Sequence, residues 1–264
     1  SLILSFGLAF TRYDALSAPE WVGLDNFKAL LDHRLFATSL KNSLFFIAVA
    51  VPLRVAAALG LALFLHRRRT GVGATRIAVF LPTVIPDAAF ALIGLWVFNP
   101  LYGPLNLGLT ALGFTPPAWL VDPATAKLVF VLMSLFQIGE GFVILLAARS
   151  EMSPELFEAA STLGCTRGQA FRYITLPLLM PWLLLLSIRD IMMSFVTTFS
   201  QAHLMTQGDP YYATMFTSLL IYEEAFDHFH FGLASAMMLV VFVGCLLLIA
   251  VLAALTRRMR HGSD

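Results

Sequence analysis

Residues 153 to 181 read Ser153-Pro-Glu-Leu-Phe-Glu-Ala-Ala-Ser-Thr-Leu-Gly-Cys-Thr-Arg-Gly-Gln-Ala-Phe-Arg-Tyr-Ile-Thr-Leu-Pro-Leu-Leu-Met-Pro181, a polar island between two long apolar runs. Ser153 is placed to cap a helix, Pro154 suits a first helical turn, and Glu155 puts negative charge where the helix dipole favours it. Leu156, Phe157, Ala159, Ala160 and Leu163 then form one apolar face, until Gly164 lets the backbone turn. A second short helix is expected over about 167 to 173. Leu176-Pro177 should end it, because proline cannot donate the interior helical bond. The stretch predicts a helix-turn-helix knob, too short to bury a core of its own, that docks into something else.

Outward from the island, the chain is written for a bilayer. Its 264 residues are 59% hydrophobic and 12% charged, with a mean hydropathy of +0.81, outside the soluble globular range. The expected class is an all-α, polytopic integral membrane protein. The net charge of +1 identifies no partner, since placement of charge matters more than its sum. Cys165 and Cys245 are too few and too separated for a disulfide framework or a metal site. Segments between spans are short, so residues 1 to 264 read as one transmembrane domain, with the knob in a loop at 150 to 177.

About six spans are expected. Residues 2 to 10 are apolar but short of the roughly 20 needed to cross a bilayer, and read as the end of a truncated first span, with Ser1 in place of Met. Residues 11 to 35 are charged and predict an interfacial helix, capped by Asp25 and showing Phe27, Leu30 and Leu31 on one side. Further spans are expected over about 36 to 65, 76 to 98, 124 to 148, 178 to 205 and 231 to 255. Pro82 and Pro86 should kink the third, and Asn99-Pro100, Gly103-Pro104 and Pro116-Pro117 signal turns in the loop after it. This topology places Arg67, Arg68, Arg69, Arg76, Arg149, Arg167, Arg172, Arg257, Arg258 and Arg260 on the knob's side, ten of the 17 Lys and Arg. By the positive-inside rule that side is cytoplasmic.

Glu158-Ala159-Ala160, three residues, Gly164, nine residues, Ile174, one residue and Leu176-Pro177 match in full the EAA signature of permease subunits of binding-protein-dependent ABC importers. The resemblance extends to Trp21-Val22-Gly23-Leu24-Asp25-Asn26-Phe27. Its carbohydrate branch, related to maltose and glycerol-phosphate permeases, is further resembled at Leu81-Pro82-Thr83-Val84-Ile85-Pro86 with Trp96, Phe98, Gly103 and Asn106. The same holds for Thr206-Gln207-Gly208-Asp209-Pro210, Ile221-Tyr222, Ala225-Phe226 and Gly232-Leu233-Ala234-Ser235-Ala236. Gly208-Asp209-Pro210 departs from the branch's Gly-Gly-Pro, and the stretch from Gln137 to Phe142 lacks its usual lysine and proline, leaving the particular sugar open. The resemblance implies that Glu158, Ala159, Ala160, Gly164, Ile174, Leu176 and Pro177 belong to a cytoplasmic coupling helix seated in an ATPase. It implies a second permease subunit, two ATPase subunits holding ATP and Mg, and an extracytoplasmic solute-binding protein. No cofactor is implied in this chain. The implied setting is a prokaryotic inner membrane, and the implied task is import of a sugar or related polyhydroxy solute by alternating access.

Such a task needs a polar track. Ser187, Asp190, Ser194, Thr197, Thr198 and Gln201 recur at three- or four-residue steps and share one helical face, suited either to a polyhydroxylated solute or to hydrogen bonds with a sibling helix. Glu140, three residues after Gln137, is a candidate acceptor on the solute side. Asp87 suits a cavity lining or a helix-stabilising hydrogen bond equally. Arg189 reads as a structural ion-pair partner; lying about 100° from Asp190 around the helix, it is expected to pair with a different group. Arg54 carries no special reading. His228 and His230 have no matching ligand set in the sequence, so no metal site is expected. No GxxxxGK[ST] loop, zinc-protease helix or Gly-x-Ser-x-Gly elbow is present, so the chain should not hydrolyse ATP or act as an enzyme. An ion-gradient-driven carrier working alone is the competing class, and it would have no use for the knob.

Overall fold

The computed structural model describes residues 2–66 and 71–261. Ser1 and the arginines Arg67, Arg68 and Arg69 of the expected cytoplasmic boundary lie outside the described residues. Apolar runs without an internal break become single long helices, since in lipid every interior N–H must find a carbonyl within its own segment. In chain order the elements are α1 (Leu2–Leu8), β1 (Thr11–Arg12), β2 (Glu20–Trp21), α2 (Asp25–Asp32), α3 (Arg34–Leu65), α4 (Val72–Phe80), α5 (Asp87–Val97), α6 (Pro104–Ala111), α7 (Pro123–Ser134), α8 (Gly139–Ser150), α9 (Pro154–Thr162), α10 (Arg167–Ala170), α11 (Leu176–Met205), α12 (Thr217–Tyr222) and α13 (Phe231–His261). Among the described residues, three stretches are long and apolar enough to cross a membrane: Arg34–Leu65, Arg167–Met205 and Phe231–Val251. Two interrupted pairs, α4 with α5 and α7 with α8, bring the number to five if each is one span.

The interruptions have local causes. Past α4 the chain tightens into a 3-10 turn over Leu81–Val84 and Ile85 is extended, because Pro86 disfavours a helical residue before it; the expected kink is therefore a break. After α7 a second 3-10 turn over Leu135–Gln137 precedes α8. There the Gly139 N–H donates to Thr83 Oγ1 at 3.1 Å. A Cβ on Gly139 would collide with that hydroxyl and stand 2.9 Å from Phe80 Cα, so only glycine lets α8 begin this close to α4.

The chain divides into two compact units. The first comprises Ser1–Ala48, Asp87–Val131 and Ile191–Asp264. Its core includes Phe216 between Phe130 and Phe46, edge-on to each, with ring centroids 5.3 and 5.7 Å away. Asn42 Nδ2 donates to the carbonyls of Tyr212 and Met215 at 2.8 and 2.9 Å, and Ser43 Oγ accepts from the Thr217 N–H. These buried polar groups pin the segment leading into α12. β1 and β2 pair antiparallel, a ribbon not expected from the sequence. Asn26 locks it to α2 by donating to the carbonyls of Ala9 and Thr11. Asp25 is the first residue of α2 and pairs with Lys28 at 3.0 Å. It is not the expected cap, which falls on Leu24 with no side-chain bond.

The second unit comprises Val49–Pro86 and Leu132–Asp190. Its core sets Ala58 and Ala62 of α3 among Phe142 and Leu145 of α8 and Leu179 and Leu186 of α11. Two alanines spaced four apart let the helices approach closely, the usual device where lipid offers no hydrophobic drive for helix association.

Candidate functional site

In the knob, Ser153 Oγ accepts from the Glu155 N–H at 3.3 Å and caps α9, with Pro154 in its first turn. Gly164 follows at φ +76°, a left-handed value that favours glycine, and Cys165 N–H closes the turn on the Ala160 carbonyl at 2.9 Å. Thr166 and Gln169 then form a reciprocal capping box that starts α10. No residue of α9 is buried, and Leu156 and Leu163 are 47% and 87% exposed. Glu158, Ala159 and Gly164 are exposed as well. The Arg149 guanidinium braces the knob by lying over the Phe157 ring, 4.3 Å from its centroid.

The expected stop at Leu176-Pro177 does not occur. Helix runs unbroken from Arg167 to Met205, because Phe171–Thr175 widens into a π-turn in which Leu176 N–H donates to Phe171 O, five residues back. Such a widened turn shifts the ladder where Pro177 has no donor to give. Ile174, Leu176 and Pro177 thus lie on the same continuous helix as the span.

A second cluster gathers four charges in the same unit. Arg189 pairs with both Glu140 and Asp190, the latter at 3.1 Å, and Arg54 Nε stands 3.5 Å from the other Asp190 oxygen. The expectation that Arg189 and Asp190 would have separate partners is corrected: the long guanidinium arm reaches around the helix to its own neighbour. Arg54, given no role in the sequence, is the most buried member, with a side chain 6% exposed. Gln137 and Gly141 line a cavity of about 10 Å³ with Arg54, Arg189 and Asp190, roughly one water's worth of space. The four formal charges cancel, which is how such groups are tolerated inside a membrane.

The rest of the polar stripe has contacts of its own. Ser194, Thr198 and Gln201 are buried in the first unit, where Thr198 Oγ1 donates to the Ser194 carbonyl at 2.6 Å and meets Ser218 Oγ. Ser187 and Thr197 are half-buried and donate to the carbonyls four residues back. Asp87 is the first residue of α5, an acidic group in its first turn where the helix dipole favours negative charge. Sequence reasoning also missed Glu224, buried beside His33, His228 and His230, where a turn folds its carboxylate back onto the histidines.

The family described as the binding-protein-dependent transport system inner membrane component matches residues 55–261. The chain belongs to that family. Among relatives of this permease, the probable ABC transporter permease protein YesP of Bacillus subtilis is 33% identical over 252 residues, covering 93% of this chain and 81% of the relative. The trehalose/maltose transport system permease protein MalF of Thermococcus litoralis is 32% identical over 237 residues, covering 87% and 78%. In fold, the permease superposes on a chain of a bacterial ABC transporter involved in the import of alginate with a TM-score of 0.84 at 22% identity, covering 97% of this chain and 88% of that one. As a permease of this class, the chain is the membrane component of an ABC importer, multi-pass in the inner membrane, and works with a binding protein. Its family is not the catalytic subunit, and the solitary ion-gradient carrier is set aside.

Proposed function

We propose that this permease imports a sugar or related polyhydroxy solute by alternating access, driven through the α9–Gly164–α10 knob. One observation carries the reading: a capped, exposed helix with apolar side chains and no cover of its own bears the full EAA spacing at Glu158, Ala159, Ala160, Gly164, Ile174, Leu176 and Pro177. It needs a cleft to sit in, and an ATPase subunit supplies one. Continuity from Arg167 through Met205 then makes the knob the end of a stiff lever, so that motion at the ATPase reaches the span. Two ATPase subunits bind ATP and Mg, and a second permease completes the path. Arg76, Arg149, Arg167 and Arg172 around the knob support a cytoplasmic position for it and for the C-terminus.

The solute class rests on the carbohydrate-branch stretches and on relatives such as the trehalose/maltose permease. In this reading Glu140, Gln137, Asp190, Asp87 and the stripe Ser194, Thr197, Thr198 and Gln201 furnish the path, with Glu140 far more open than Asp190. The test is ATP hydrolysis by the complex purified in lipid, with and without its binding protein loaded from a sugar panel. Stimulation by one loaded form is expected, and Glu158→Ala or Gly164→Pro should depress it while the subunits stay together. Unchanged hydrolysis and uptake in both variants would remove the coupling role.

A further inference from the structure

We infer that Glu224, His228 and His230 form a binding site for a divalent transition-metal ion of the zinc class. Glu224 is a carboxylate whose side chain is only 9% exposed, and among the described residues its ion-pair partners are the imidazoles of His33, His228 and His230, with the Glu223 carboxylate adding like charge nearby. His230 Nδ1 lies 2.9 Å from Glu224 Oε2, and His228 Nδ1 lies 3.5 Å from Oε1. One ligand atom from each of the three residues falls within 4.8 Å of the other two. Two zinc bonds of about 2.0–2.1 Å at a tetrahedral angle hold their ligand atoms roughly 3.3 Å apart, a separation that these two contacts bracket. Two imidazoles and one carboxylate, with a further position open, is an established donor set for zinc.

The backbone prepares the arrangement. Glu223–Asp227 is a π-turn, the His228 and His230 N–H groups bond back to the carbonyls of Glu223 and Glu224, and Phe229 between them takes φ +59°. The rings of His228 and His230, on either side of that left-handed residue, have centroids 6.0 Å apart. His33 serves differently. Its Nδ1 accepts from the Phe36 N–H at 3.1 Å, so its neutral ring carries the proton on Nε2, which faces Glu224 Oε1 at 3.5 Å. His33 is a positioning residue that orients the carboxylate from behind, as outer hydrogen-bond partners of metal ligands do. The ion would fasten the turn that leads into α13, which His33 joins through Glu224 to the start of α3.

The test is Co²⁺ titration of the full, tag-free chain in lipid after chelator treatment, followed by visible absorption and by competition with Zn²⁺. One equivalent should bind with the ligand-field bands of a low-coordinate site and be displaced by Zn²⁺. His228→Ala and His230→Ala, both at exposed side chains, should each abolish the signal, and His33→Gln should weaken binding by about 10- to 100-fold. No saturable binding, or binding that survives in the His228→Ala/His230→Ala double variant, overturns the assignment.

Discussion

Replacing Asp190 by Asn removes the carboxylate that faces two arginines at once. Arg54 is nearly inaccessible, its Nε 3.5 Å from Asp190 Oδ2; at an effective dielectric of about 20 the gross attraction across that distance is about 5 kcal/mol. Loss of one partner strands a buried charge and typically costs about 3–5 kcal/mol, so the two routes to the magnitude agree. Glu140, by contrast, is 45% exposed where it meets Arg189, and Glu140→Gln should cost no more than about 1 kcal/mol. The assay is unfolding of the purified permease in detergent, completed as a double-mutant cycle with Arg54→Met. Asp190→Asn alone should be strongly destabilising, and the double variant should recover a large part of the loss, because the stranded cation goes with it. A single-variant cost below about 1 kcal/mol, or strict additivity in the cycle, would refute the reasoning. Intact stability with lost uptake would move Asp190 from the scaffold to the solute.

Gly164→Ala should cost about 1–2 kcal/mol from the left-handed backbone alone, since an added Cβ meets nothing within 4 Å. The loss should show as faster amide exchange across 163–169 together with lowered transport-linked ATP hydrolysis. Asn42→Ala deprives the carbonyls of Tyr212 and Met215 of their donor and should destabilise by about 1–3 kcal/mol, read as a lower thermal midpoint. Asp14, held below the ordinary carboxylate range by the Ser17 N–H and hydroxyl, stabilises its turn above the unfolded pKa and loses that contribution as pH falls through the folded value. Asp14→Ala should therefore remove the acid-side change in amide exchange at residues 16 and 17.

Local rules were readable wherever one residue decides one conformation. Ser153, Pro154 and Gly164 take the positions their chemistry demands, and Pro86 breaks the helix ahead of it. What failed depended on the partner of a group instead of on the group itself. Pro177 looked like a stop because a four-residue ladder was assumed, and the five-residue turn at Phe171–Thr175 removes the conflict. Arg54 had no visible role because its counter-charge is 136 residues away in sequence. The meeting of His228 and His230 with Glu224 is hidden in the sequence for a similar reason: it depends on the π-turn at Glu223–Asp227 and the left-handed Phe229.

The polar face of α11 shows how far periodicity carries an argument. Three- and four-residue spacing placed Ser187, Asp190, Ser194, Thr197, Thr198 and Gln201 together, and the helix keeps them on one side. Burial then separates them. Asp190, Ser194, Thr198 and Gln201 are enclosed by the chain's own packing, whereas Ser187 and Thr197 retain access. Each of those two hydroxyls donates its proton to a carbonyl one turn back, which leaves its oxygen free to accept. An accepting hydroxyl on a half-open face is the complement of a solute rich in hydroxyl donors. Of the proposed path's stripe, Ser187 and Thr197 are thus the hydroxyls open to such contact, and the enclosed members hold the helix that presents them.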